Sequence, residues 1–230
     1  ILVLARRADM RPKAMILAGA LLVLSPYFLT FTVYGLESPL QILLLLGLLW
    51  GIAEGRWTAA GLALGLLPAV RPEGYFFIPP VLLLIFLWER RKIKWLHFLT
   101  PLLVLTAAVL LFRFIYYGEL LPNTVYSKSI ALVPELDVCL GKIGRGLVHC
   151  GHYFLDARLF LWIPLLALAF AGKLTGRAAV MRRWAAALAL IQLAFVIISG
   201  GNVFLRYRFL SALYPMLCLL AADGLNTMLG

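Results

Sequence analysis

The chain has 230 residues, of which 63% are hydrophobic and only 13% charged, with a mean hydropathy of +0.98. A soluble domain keeps roughly a quarter of its residues charged, so the natural solvent for most of this surface is lipid, which argues against a soluble cytosolic enzyme. The formal charge of +11 is split into short clusters between apolar runs, the positive-inside pattern and not the continuous basic face of a nucleic-acid binder.

The first landmark is a basic cluster of Arg6, Arg7, Arg11 and Lys13, diluted only by Asp9. An apolar run over 14–34 predicts a first membrane span, with Ser25-Pro26 read as a kink because lipid-buried helices tolerate proline. The segment 35–39, Gly-Leu-Glu-Ser-Pro, reads as a turn carrying Glu37. Second and third spans are predicted over 40–53 and 57–70, separated by Glu54-Gly55-Arg56. At about 14 residues, or about 21 Å of helix, each is shorter than the roughly 30 Å of a hydrocarbon core. Shortness recesses the next residues, Arg71-Pro72-Glu73-Gly74, below the membrane surface. A guanidinium there is able to grip phosphate in a bidentate fork, and ionisable groups at membrane depth are usually functional; a structural ion pair is the plainer reading.

A fourth span is expected over 75–88, with Pro79-Pro80 inside it, and a fifth over 95–117, long enough to cross. The polar stretch that follows, 118–156, is expected to be an extracytoplasmic loop. Across the junction with the fifth span runs Tyr116-Tyr117-Gly118-Glu119-Leu120-Leu121-Pro122-Asn123-Thr124-Val125-Tyr126-Ser127-Lys128. Its tyrosines fit an interfacial belt, and Gly118 and Pro122 fit a turn; the same polar groups suit sugar hydroxyls or a lipid phosphate. Within 129–148, apolar residues at Ile130, Val133, Leu136, Leu140, Ile143 and Leu147 recur at three and four, the spacing of a helix lying in the interface with Lys142 and Arg145 toward phosphate or water. Cys139 and Cys150 share this loop, and an oxidising compartment would allow them to pair, although two unpaired thiols are the simpler expectation. His149 and His152 lack a third partner and make a poor metal site, so no metal ligands are assigned.

Sixth, seventh and eighth spans are expected over 160–171, 184–198 and 209–228, with Asp223 either hydrogen-bonding within the bundle or, the preferred reading, marking the last one's cytoplasmic end. Eight crossings would put the basic clusters, Arg182 and Arg183 among them, in the cytoplasm. Glu37, the Arg71/Glu73 pair, the long loop, Arg206 and Arg208 would then lie outside. The first residues read as the end of a helix and carry no signal-peptide pattern, which suggests a fragment of a larger membrane protein. No Walker loop, dinucleotide fingerprint or nucleophile elbow is present. The expected architecture is all-α: one polytopic transmembrane bundle of about eight spans over 1–230, truncated at its start, with an outer interfacial loop or helix.

Gly35-Leu36-Glu37-Ser38-Pro39, Arg71-Pro72-Glu73-Gly74, the 116–124 stretch with Tyr126 and Lys128, and Arg208-Phe209-Leu210 before Pro215 together resemble bacterial polytopic glycosyltransferases of the C-fold superfamily. Within it, residues 15–225 resemble the family that includes the mycobacterial terminal arabinofuranosyltransferases. The resemblance implies transfer of a sugar from a polyprenyl-phosphate donor to a glycan, lipid or protein acceptor, by inverting displacement on the outer face of the bacterial cytoplasmic membrane. It implies donor-phosphate contacts from Arg71, Lys128, Arg206 and Arg208, and sugar or acceptor contacts from Glu73, Tyr117, Asn123 and Tyr126. The acidic catalytic residue would lie upstream of Ile1. Relatives often carry Gly-Gly-Asp where this chain has Gly200-Gly201-Asn202, and an amide is no base. A lipid-linked sugar is the expected donor and a divalent metal is left open as a cofactor. A transporter or flippase module, which should show inverted repeats, and a non-catalytic membrane scaffold are the rival readings.

Overall fold

The computed structural model describes residues 1–33, 37–120, 136–172, 176–201 and 207–229. Its helices are α1 (Leu2–Arg7), α2 (Pro12–Val23), α3 (Pro26–Val33), α4 (Ser38–Ala53), α5 (Trp57–Val70), α6 (Gly74–Glu89), α7 (Trp95–Tyr117), α8 (Leu136–Asp156), α9 (Ile163–Ala171), α10 (Gly176–Ser199) and α11 (Leu213–Leu229), with short 3-10 turns at Leu159–Trp162 and Arg208–Leu210. The class is all-α, as expected from the apolar runs.

The number of spans is not as expected. Among the described residues, two helices are long and apolar enough to cross a membrane, α7 and α10. A third is reached only if Asp137–Asp156 and Leu159–Ala171, bent by 72° at their junction, are taken as one broken span. The bundle of about eight spans is therefore corrected. Length is the physical reason: α2, α4, α5, α6 and α11 have 12–17 residues, about 18–26 Å of helix against roughly 30 Å of hydrocarbon. Apolar composition marked these segments as buried in something greasy, but did not make them long enough to traverse it. The sidedness drawn from eight crossings loses its basis with them. Membrane association stands on α7, only 11% of whose most apolar window is buried within the protein, and on α10. Leu96, Leu103, Leu111 and Ile115 stand open along α7.

Two compact units divide the chain: 40–140, and 1–39 together with 141–230. In the 40–140 unit, α5 is central and packs chiefly on α7 and also on α6. Small residues make this possible. A Cβ at Gly61 would fall well under 3.0 Å from the Phe98 carbonyl oxygen, and one at Gly65 would stand 3.1 Å from the Leu102 Cα. The pair is a small-xxx-small stripe that lets two apolar helices approach backbone to backbone. Phe77, Val81, Ile85, Leu64 and Leu67 fill the remainder of this core. α7 ends at Gly118, whose φ of +74° gives the left-handed cap and returns its N–H to the Phe114 carbonyl.

In the other unit, α11 is the centre and packs against α2, α9 and α10. Ser25-Pro26 is a break and not a kink: α2 ends at Val23, and Ser25 caps a new helix by accepting the Phe28 N–H at 3.2 Å with Pro26 in its first position. A serine followed by proline is the signature of a helix start. Asp223 does not mark a helix end. It is 4% exposed inside α11 and pairs with the equally buried Arg182 of α10, which sequence reading placed in a cytoplasmic loop. Arg182 Nη1 also donates to the Gly172 carbonyl at 3.0 Å.

The helix predicted over 129–148 is found from Leu136 onward as α8, running on to Asp156, while 129–135 lies outside the described residues. Cys139 and Cys150 are not joined in a disulfide. Eleven residues of one helix set them roughly 16 Å apart along its axis, far beyond disulfide reach.

Candidate functional site

Arg71 follows the last residue of α5 and takes an extended backbone conformation. This breaks the helix and swings the guanidinium back toward α4 and the start of α6. Its side chain is 3% exposed; Arg71 Nε stands 2.6 Å from Glu73 Oε1, and Nη1 donates to Gln41 Oε1 at 3.4 Å. Gln41 is 1% exposed, and its Nε2 has no hydrogen-bond partner among the described residues. A buried amide donor left unmade costs about 1–3 kcal/mol, so the cluster holds a surplus donor beside a guanidinium. Any hydrogen-bond acceptor, a water, a carbonyl or an anion, would complete such a set. Gln41 was not singled out in the sequence, although the signal was there: it is the lone amide in the apolar run 40–53, and polar groups in such helices act as interhelical contacts.

Tyr117 sits at the open end of α7, 63% exposed, in a ring cluster with Tyr116 (centroids 4.8 Å apart) and Phe112 (6.4 Å). An exposed aromatic group at the end of an apolar helix is the geometry of an interfacial belt. Asn123, Tyr126, Lys128 and Arg206 lie outside the described residues, as does Asn202.

Arg208 belongs to the other unit, where it pairs with Glu37. The preceding residue, Tyr207, has a φ of +62°, unusual for an aromatic residue and held only where neighbours over-determine it. Those neighbours are evident. The Tyr207 ring lies between His149 (5.1 Å) and Tyr153 (5.2 Å), and its hydroxyl donates to Asp156. His149, Tyr153 and Asp156 are four and three residues apart and share one face of α8, so this helix is latched to the segment entering α11. Gly146, on the same side, brings α8 against Ile197 of α10. Burial, with His152 as a lesser cause, holds the His149 imidazole below the usual histidine range. Burial likewise pushes the Cys150 thiol up to about 11, which makes it a poor thiolate. No group of three or more His, Cys, Asp or Glu side chains suited to a metal ion occurs among the described residues. Tyr207 was not singled out in the sequence; only the long-range return of α8 gives it a role.

Comparison with protein-family models, with curated proteins and with solved structures finds no match to this chain. The resemblance to C-fold glycosyltransferases is corrected by the fold itself. That superfamily is built on many long membrane crossings, and the described residues supply two, or three with the bent pair. Short motifs carried the likeness, and a Gly-Leu-Glu-Ser-Pro or an Arg-Pro-Glu-Gly is also what any turn between short apolar helices requires: a helix breaker, a cap and a charge.

Proposed function

We propose that the chain is the membrane-embedded part of a transferase that moves a sugar from a polyprenyl-phosphate donor to a cell-envelope glycan, lipid or protein acceptor. The setting is the bacterial cytoplasmic membrane, with the reactive face outside. The observation that carries this reading is the Arg71–Glu73–Gln41 cluster. It combines a bidentate donor, a carboxylate that orients it and a spare amide donor, all buried at one end of an apolar helix. In displacement at an anomeric carbon, charge builds on the departing phosphate oxygen, and fixed donors in a dry setting stabilise it most. Arg71 takes that role. Glu73 holds the guanidinium in register, and Gln41 supports the same oxygen through Nε2. Within the same 40–140 stretch, Tyr117, Asn123 and Tyr126 are assigned to the sugar or acceptor, and Lys128 to the donor phosphate.

The test is transfer by the full-length protein in proteoliposomes given a panel of polyprenyl-phosphate sugars. One donor should yield product. Arg71→Ala should remove turnover by a factor of about 10²–10³, the usual loss when one donor to a developing oxyanion is deleted. The Arg71→Gln/Glu73→Gln double variant, which leaves no unpaired charge, should be equally inactive while inserting normally. Transfer surviving in that double variant would retire the assignment.

A further inference from the structure

A second feature lies far along the sequence from Arg71, between α1 and α2. These two helices fold back on each other about the turn 8–11, so that Leu2 reaches Gly19, where an added Cβ would stand 3.3 Å from its Cδ2. Beside this contact runs an open groove of about 730 Å³, lined along its length by Leu2, Met15, Ile16, Gly19 and Val23 and closed at one end by Arg6. Its walls are apolar and uncovered: Ile16 is 69% exposed, Val23 59% and Leu2 49%. The turn at the Arg6 end gathers four cations, Arg6, Arg7, Arg11 and Lys13, against one acid, Asp9. Arg11 is engaged with the end of α11 through Asn226 and the Leu229 carbonyl, which ties the basic turn to the core of its unit.

We infer that this groove seats one acyl chain of an anionic phospholipid, with the phosphate on the Arg6 turn. Length, polarity and charge all fit. The twelve residues of α2 measure about 18 Å, close to the depth of one leaflet, half of roughly 30 Å. The apolar walls match a hydrocarbon chain laid along the helix. Gly19, against which Leu2 packs, lets α1 lie close along α2 and lines the groove midway along α2. A cluster of cations where the groove meets the headgroup region selects anionic over zwitterionic lipid. None of these residues enters the proposed transfer, so the two readings fail separately.

The experiment is lipid retention. The full-length protein is exchanged into mixed micelles of equal phosphatidylglycerol and phosphatidylcholine, repurified, and its bound lipid counted by mass spectrometry. Wild type should carry phosphatidylglycerol in clear excess. Arg6→Glu changes the local charge by two units at roughly fivefold each, and should lower that preference about 30-fold while leaving acyl-chain retention measurable. Gly19→Leu fills the groove and should abolish retention of both lipids at this site, as read by loss of α1–α2 adducts with a photoactivatable phosphatidylglycerol. Helix content by circular dichroism shows that each variant is folded. Equal retention of the two lipids by wild type would overturn the inference, as would adducts mapping elsewhere or unchanged retention in both folded variants.

Discussion

Replacing Asp223 by Ala is expected to cost about 3–5 kcal/mol of stability, enough to abolish or nearly abolish the folded state of its unit. The reason is the environment of Arg182. Both side chains of the pair are 6% exposed, so removing the carboxylate leaves a guanidinium desolvated and uncompensated, which is where large losses arise. Its other contact, the Gly172 carbonyl, is neutral and does not replace the lost charge. The arrangement also makes a distinguishing prediction. A pair of this kind can be exchanged for apolar side chains of similar size at little cost. Thus Arg182→Met combined with Asp223→Leu should regain most of the stability that Asp223→Ala loses. Urea titration in detergent, followed by tryptophan emission (Trp184 is fully buried in the same core), measures both. If Asp223→Ala shifted stability by under 1 kcal/mol, the buried pair would not be the pin that fastens α10 to α11.

Gly61→Leu should be among the most damaging substitutions in the other unit. A Cβ there already collides with backbone atoms of Phe98 and lies 2.9 Å from Pro101 Cγ. Backbone cannot swing aside as a side-chain tip does, so α5 and α7 must separate along their whole contact. Overpacking of an ordinary core costs about 1–3 kcal/mol, and a clash with backbone at the closest point of two helices belongs at or above the top of that range. Leu62, the next residue, is 42% exposed; Leu62→Ala should change stability by only about 0.5 kcal/mol and serves as the control. Limited proteolysis of the 40–140 unit reads the difference, with Gly61→Leu cut much faster than wild type or Leu62→Ala. Equal rates would show that α5 and α7 do not meet at this stripe.

Residue patterns reveal some parts of this fold and conceal others for identifiable reasons. The apolar run 95–117 and its glycine stop were legible because both signals are local: enough length to cross and a left-handed cap at Gly118. The periodicity of three and four through Leu140, Ile143 and Leu147 likewise announced α8. Span number was misread because hydropathy reports what a segment prefers to touch and not whether it is long enough to cross. α4, α5 and α6 satisfy the first condition only. Ser25-Pro26 carried two meanings, kink or helix start, and the Phe28 N–H decides between them. Arg182 was assigned to a loop, and Asp223 by preference to the end of the last span, because charge in a greasy sequence suggests an end; their partnership joins residues 41 apart and has no local signature. The glycines 61 and 65 were readable in principle, four residues apart in a helix of small and apolar side chains, a pattern that marks close helix contact.

The most direct measurement is equilibrium binding of a polyprenyl monophosphate to the full-length protein and to its Arg71 variants in detergent. Wild type should bind. Arg71→Lys should bind less well because a lysine offers a point charge where a planar fork is needed. The neutral Arg71→Gln/Glu73→Gln pair should lose about a hundredfold or more, as expected when a buried charged contact is removed. Equal affinity in wild type and the folded double variant would contradict the assignment of this cluster to a lipid-linked phosphate.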